Sequence, residues 1–151
     1  MVTSEISPLI AVIETALYSG GGAANFEKIV RIAMKLLGLK RKELCGLLSQ
    51  LTREYVVLTE SGEELTLSSL VFNGKNCRDF TFTHKKHGVI SVFDYFHQKG
   101  SQLMYPERGL MLSRTCGRAF PIESLTLTSL GEREKPIPIK TVLSRCYDEL
   151  N

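Results

Sequence analysis

The stretch Ile90–Pro106, "ISVFDYFHQKGSQLMYP", sets four aromatic rings (Phe93, Tyr95, Phe96 and Tyr105) among His97, Gln98 and Lys99, in a chain that has no tryptophan. Ser91 is placed to cap a short helix, Asp94 falls in its first turn, and Lys99-Gly100 closes it. On that helix Tyr95 and Lys99 stand at i and i+4 and share a side. Aromatic faces stack on bases, and lysine pairs with phosphate whatever the sequence. The same rings also suit a hydrophobic core. Phe93 and Phe96, and with them Tyr105, read as core, whereas Tyr95 and Lys99 read as the pair that faces a ligand.

Charge along the chain bears on the choice. The net charge of the 151 residues is only +3, but residues 71–120 carry eight basic and three acidic side chains, and residues 51–70 one basic and four acidic. The aromatic stretch therefore lies in the one clearly basic segment, next to an acidic one. A basic segment favours anionic partners, although a solvated basic face has the same composition. At 43% hydrophobic and 23% charged, the chain is expected to bury one core.

Cys45, Cys77, Cys116 and Cys146 lie about thirty to forty residues apart without a C-x-x-C pair, so reduced thiols are expected rather than a disulfide framework or a zinc site. No apolar run is long enough to span a membrane, and no secretory signal is read.

Apolar spacing predicts helices over 8–18 and 26–38, the second ended by Gly38, with "SGGGAAN" (19–25) between them as a flexible break. After Arg53 the pattern turns to short strands: "EYVVLT", "LTLSSLVF", "RDFTFT", "SQLMY", "LMLSRT" and "AFPIESLTLTSL". The turns between them are "ESGEE", "NGKN" and "HKKHG". The tail "GEREKPIPIK" reads as an exit linker, and "TVLSRCYDEL" as the start of another element. The expected class is α+β, mainly β: a small SH3-like or OB-like barrel with N-terminal helices and an inserted β-hairpin–helix appendix. Its expected divisions are an N-terminal helical segment over 1–40, the barrel with its appendix over 41–130, and the linker over 131–151.

Enzymatic signatures are missing. There is no Walker loop, G-x-G-x-x-G or G-x-S-x-G, and no lysine suited to a phosphate cradle follows the glycines of 20–22. His84 and His87 form an H-x-x-H around two lysines, a poor metal site, and no histidine has a triad partner at a known spacing. A non-catalytic chain without metal or cofactor is expected.

Residues 90–127, "ISVFDYFHQKGSQLMYPERGLMLSRTCGRAFPIESLTL", resemble the second half of the PAZ domain of Argonaute and PIWI proteins. Val92–Phe96, Lys99, Leu103–Pro106 and Ala119–Glu123 stand where that family has its helix with a Tyr-Phe pair, its lysine, its Leu-x-Tyr-Pro and its aromatic-Pro-apolar-Glu element. "RDFTF", ending in Phe82, resembles the end of the family's central hairpin, and the helices of 8–38 resemble the segment leading into the domain. The resemblance implies an RNA-binding module that holds the 3′ end of a single-stranded small guide RNA, within an Argonaute-like protein whose other domains are its partners. It implies a cytoplasmic location, with RNA granules or the nucleus as the other compartments.

By the resemblance, Tyr95, Lys99, Phe82 and Phe120 form the RNA-end site together with Tyr105. Lys75, Arg78, Lys85 and Lys86 would contact the backbone upstream of the end. One wall departs from the family: Glu60 stands for a histidine, Glu63 and Leu65 fall on its Arg-x-Tyr, and Gly100 replaces a tyrosine. A glutamate for an arginine beside phosphate reverses the sign of the interaction. Losing several charge-assisted contacts of about 1.5–3 kcal/mol each would weaken binding by orders of magnitude. Two alternatives therefore stay open: a degenerate PAZ-like module used for protein interaction, and another small-barrel domain that binds extended peptides by strand addition.

Overall fold

The computed structural model describes residues 3–51, 55–115 and 117–129. The exit linker expected from residue 131 onward, and Cys116 and Cys146, lie outside them.

Helix α1 (Thr3–Ser19) begins upstream of the expected Pro8 and runs through it. Proline there removes a single donor near the helix start, so the helix continues. Leu9, Val12, Ile13, Ala16 and Leu17 are buried at the spacing of one helical stripe. Gly21 and Gly22, at φ 72° and 103°, then turn the chain so that β1 (Ala23–Asn25) pairs with a strand at the far end of the described chain. The stretch expected as a flexible break is in part a strand.

Asn25 caps α2 (Phe26–Leu37): its Oδ1 accepts from the Lys28 N–H at 3.2 Å, and its Nδ2 donates to the Glu123 carbonyl at 2.9 Å. Gly38 ends the helix in the left-handed region, its N–H on the Met34 carbonyl. Residues 41–49, assigned no element from their pattern, form α3 (Arg41–Ser49), which buries Leu44, Cys45, Leu47 and Leu48. Three helices, not two, thus precede the main run of strands.

The strands are antiparallel. The first sheet has the order β1–β9–β2–β3, with β2 Tyr55–Leu58, β3 Glu64–Thr66 and β9 Thr126–Ser129. The second has the order β4–β7–β8, with β4 Leu70–Asn73, β7 Leu110–Ser113 and β8 Ala119–Pro121. The hairpin β5 (Thr81–His84) and β6 (Gly88–Ser91) pairs Phe82 with Ile90 and leads into α4 (Val92–Gln98). The fold is α+β, as expected, with antiparallel sheets, but helix outweighs strand among the described residues, so the expected mainly β balance does not hold. Among the described residues, the ladders also fall into three sheets and do not close a barrel.

Two expected strands are each divided by a 3₁₀ corner. "LTLSSLVF" becomes β3, a turn at Leu67–Ser69 and β4, while "AFPIESLTLTSL" becomes β8, a turn at Ile122–Ser124 and β9. Both corners pass the chain from one sheet to the other around a buried side chain, Leu67 and Ile122. "SQLMY" forms no strand. Its Met104 and Tyr105 N–H groups donate instead to the two carboxylate oxygens of Glu123, at 2.9 and 2.7 Å.

Two hydrophobic clusters result. The larger joins α1, α2 and α3 to both sheets. The smaller gathers Cys77, Val92, Phe96, Leu103 and Leu110, with Phe80, Phe82, Phe93, Tyr95 and Ala119 packed against it, and seats the appendix. Gly109 (φ 93°) lies between them, where an added Cβ would fall 2.6 Å from the Phe72 ring and 2.8 Å from the Asn73 carbonyl oxygen. The backbone approach of this turn to β4 requires glycine.

The loop before β7 is tied to α2 by an ion pair between Arg108 and Glu27, whose residue is only 2% exposed. Removing one partner of such a pair leaves a buried charge alone. Arg108→Ala is therefore expected to lower unfolding free energy by about 3 kcal/mol in urea titration. A loss under about 1 kcal/mol would mean that Glu27 finds water or another partner.

Candidate functional site

A cleft of about 510 Å³ opens between the appendix and the body of the fold. Its appendix side is made by Phe80, Phe82 and His84 around β5 and by Val92, Tyr95, Phe96 and Lys99 of α4. The opposite side is the turn between β2 and β3 (Thr59, Glu60, Ser61), together with Gly117, Arg118, Ala119 and Phe120 at β8. The small cluster holds these two sides apart, because α4 rests on it through Val92 and Phe96.

Local rules aim α4 at the cleft. Ser91 Oγ accepts from the Asp94 N–H at 3.0 Å, and Gly100 closes the helix at φ 85°. Both agree with the sequence reading. A side chain at Gly100 would have open space but a strained backbone, which accounts for glycine at that position. Residues two apart on a helix lie about 200° apart, so Phe93 and Tyr95 face away from each other. Phe93 is covered by the Arg78 guanidinium at 4.4 Å, whereas Tyr95 turns to the cleft. There Tyr95 meets Phe82 edge-on at 5.4 Å and His84 at 5.3 Å.

Of the expected site residues, the structure brings Phe82, Tyr95, Lys99 and Phe120 together on the lining of one cleft. Tyr105 is not on it; it is half-buried beneath the Arg108 guanidinium at 4.0 Å. Nor are Lys75 and Arg78, which lie in the connection before β5, with Arg78 behind α4. Lys85 and Lys86 are exposed at the tip of the β5–β6 hairpin, next to the His84 that lines the cleft. His84 itself accepts the Lys86 N–H on Nδ1 at 3.0 Å and stacks on His87 at 4.8 Å.

Arg118 was not legible as a site residue from the sequence, although a signal existed. It stands two residues before Phe120, and such positions share a face in extended chain. Its guanidinium lies 5.1 Å from the Phe120 ring.

The acidic turn reaches the same cleft. Lys99 pairs with Glu60, and Arg118 pairs with Glu63. Hydrogen bonds within the turn hold both acids in place: Glu63 N–H donates to Thr59 Oγ1 at 3.2 Å, Thr59 N–H to the Glu63 carbonyl at 2.9 Å, and Gly62 takes φ 87°. Leu65, in contrast, packs on the large core and contributes nothing to the cleft. Both cations of the cleft lining are thus already matched by carboxylates. Exposed pairs of this kind contribute only about 0–1 kcal/mol to stability.

Burial pushes the thiols of Cys45 and Cys77 up to about 12, so neither is a free thiolate nucleophile at neutral pH. Among the described residues no three His, Cys, Asp or Glu side chains gather around a metal-sized space, and no helix is long and apolar enough to cross a membrane. No protein-family model and no curated protein matches the sequence.

The hydrogen bond that Lys99 donates to the Glu60 carboxylate, with that group's charge, holds the Lys99 ammonium above its ordinary 10.5. The contribution of this pair is complete below about 10.5 and is lost as pH rises through the higher folded value. In Glu60→Gln the Lys99 titration, followed by NMR of its side-chain resonances, is expected to move back toward 10.5. An unchanged midpoint would mean that the pair does not form in solution.

Proposed function

We propose that this chain is a PAZ-like RNA-binding module that holds the 3′ end of a single-stranded small RNA in the cleft between appendix and body. One observation carries the reading. Phe82 of β5, Tyr95 and Lys99 at α4, and Phe120 of β8 line the same cleft. Their chemistry suits an RNA end, with rings for stacking the last bases and an ammonium at 4.9 Å from the Tyr95 ring for a phosphate. In this reading the two sheets with their 3₁₀ corners are an open small barrel of the SH3-like or OB-like kind, with β5, β6 and α4 as its appendix. Lys85 and Lys86 at the hairpin tip extend the path for the upstream backbone. The module binds and does not catalyse, the remaining domains of an Argonaute-like protein are its neighbours, and the cytoplasm is its place.

A second reading, a protein-interaction module of the same fold, is favoured by the pairing of Lys99 with Glu60 and Arg118 with Glu63. Carboxylates at the rim repel a polyanion and leave the cleft nearly neutral.

Fluorescence polarisation of a labelled single-stranded RNA, beside the same RNA with its 3′ end blocked by a bulky group, separates the two. For the RNA-end reading, blocking the end abolishes binding and affinity falls steeply with salt. Equal binding of both would indicate only a basic surface, and binding of neither would favour the protein-interaction module. Tyr95→Ala is expected to weaken RNA binding about tenfold or more, the size of one lost base stack, with an unchanged circular dichroism spectrum. Loss of the folded spectrum would place Tyr95 in the core instead.

A further inference from the structure

The turn between β2 and β3 gives the cleft a chemistry that a plain phosphate pocket lacks. Glu60 lines the cleft across from Tyr95 and Phe82, and its Oε1 is engaged by Lys99. Its other oxygen has no partner among the described residues. An ionised carboxylate is acceptor-only and offers about four lone-pair sites, so one ammonium contact leaves capacity unused. Two donors on adjacent carbons suit that capacity, and a ribose diol provides them. A carboxylate held beside a ribose is a recurrent way of reading its hydroxyls.

The same carboxylates bear on charge. A phosphate monoester carries about −1.5 to −2 at neutral pH. The two cations that would receive it, Lys99 and Arg118, are each neutralised by an acid fixed in a hydrogen-bonded turn. A terminal phosphate would have to displace both acids or sit against them. An end that finishes in hydroxyls meets no such opposition, and it gives Glu60 two hydrogen bonds.

We infer that Glu60 is a specificity-determining residue: it accepts the 2′- and 3′-hydroxyls of a terminal ribose and, with Glu63, refuses an end that carries a phosphate. The inference rests on the cleft being an RNA-end site, and its test keeps the two separable.

The full chain is titrated with one labelled RNA made with three ends: a free 2′,3′-diol, a 2′,3′-dideoxy ribose and a 3′-phosphate. The wild-type protein binds the diol about tenfold or more tighter than either other end, the size of a hydrogen bond to a charged group. Glu60→Gln keeps an acceptor but removes the charge, so the phosphate end gains and its gap to the diol narrows. Glu60→Ala removes the acceptor as well, and the preference for diol over dideoxy ribose disappears. Equal wild-type affinities for all three ends overturn the inference, as does a diol preference that survives in Glu60→Ala. If no end binds at all, the RNA-end reading itself falls and takes the inference with it. Glu60 is exposed, and matching thermal midpoints for the variants would establish that they fold.

Discussion

Strand β7 is the constraint on which the rest depends. Its alternation sends Leu110 into the small cluster and Met111 into the large one, and both are fully buried. A strand buried on both faces must be apolar at consecutive positions, as "LML" is. One slip of register would exchange the two faces and separate the appendix from the body. The neighbouring turn fixes that register: Gly109 allows the backbone to press against β4, and Arg108 anchors it to Glu27 beneath. The small cluster that Leu110 joins also supplies one wall of the cleft, through Val92 and Phe96.

On that wall the aromatic and charged groups divide the work. Phe96 and Val92 are spent on packing, Phe93 is covered by Arg78, and Tyr95 remains at the cleft surface because the helix turns it away from Phe93. The acids of the β2–β3 turn set the charge of the opposite rim. Exposed ion pairs add little to folding stability, so in the proposed RNA-end reading Glu60 and Glu63 act mainly on the ligand. For the proposed RNA end, cleft-lining rings beside a rim whose cations are matched by acids favour the identity of the end over the number of phosphates.

Much of this was legible in local patterns, and the failures have physical causes. The cap and stop of α4 and the Tyr95–Lys99 pairing follow from spacing and from residue chemistry that acts over a few positions, whereas Phe82 and Phe120 were joined to them only by the resemblance to a PAZ domain. Helix α3 was not legible because its apolar stripe is short and the helix contains Gly46, a weak helix former. β1 was hidden because three small residues after glycines carry no strand signal, and its pairing with β9 is about one hundred residues away in sequence. The 3₁₀ corners at Leu67 and Ile122 look like uninterrupted strand, since a corner around one buried apolar residue leaves the alternation almost intact. The pairing of Glu60 with Lys99 and Glu63 with Arg118 depends on tertiary approach, which no local pattern encodes. Glu123 matched a motif without a reason; its reason is the pair of backbone donors at Met104 and Tyr105.

Helix α4 has only seven residues, too few to persist in water unaided. It exists because the small cluster closes over Val92 and Phe96, and that cluster is separate from the core that holds the helices and sheets. Its packing is largely separate from that of the larger core, the arrangement in which a local opening costs less than global unfolding. A ligand lying across the cleft touches both appendix and body and closes that opening. Part of its binding free energy goes into ordering the appendix, so the affinity of the site is set by the packing behind α4 as much as by the residues in front of it.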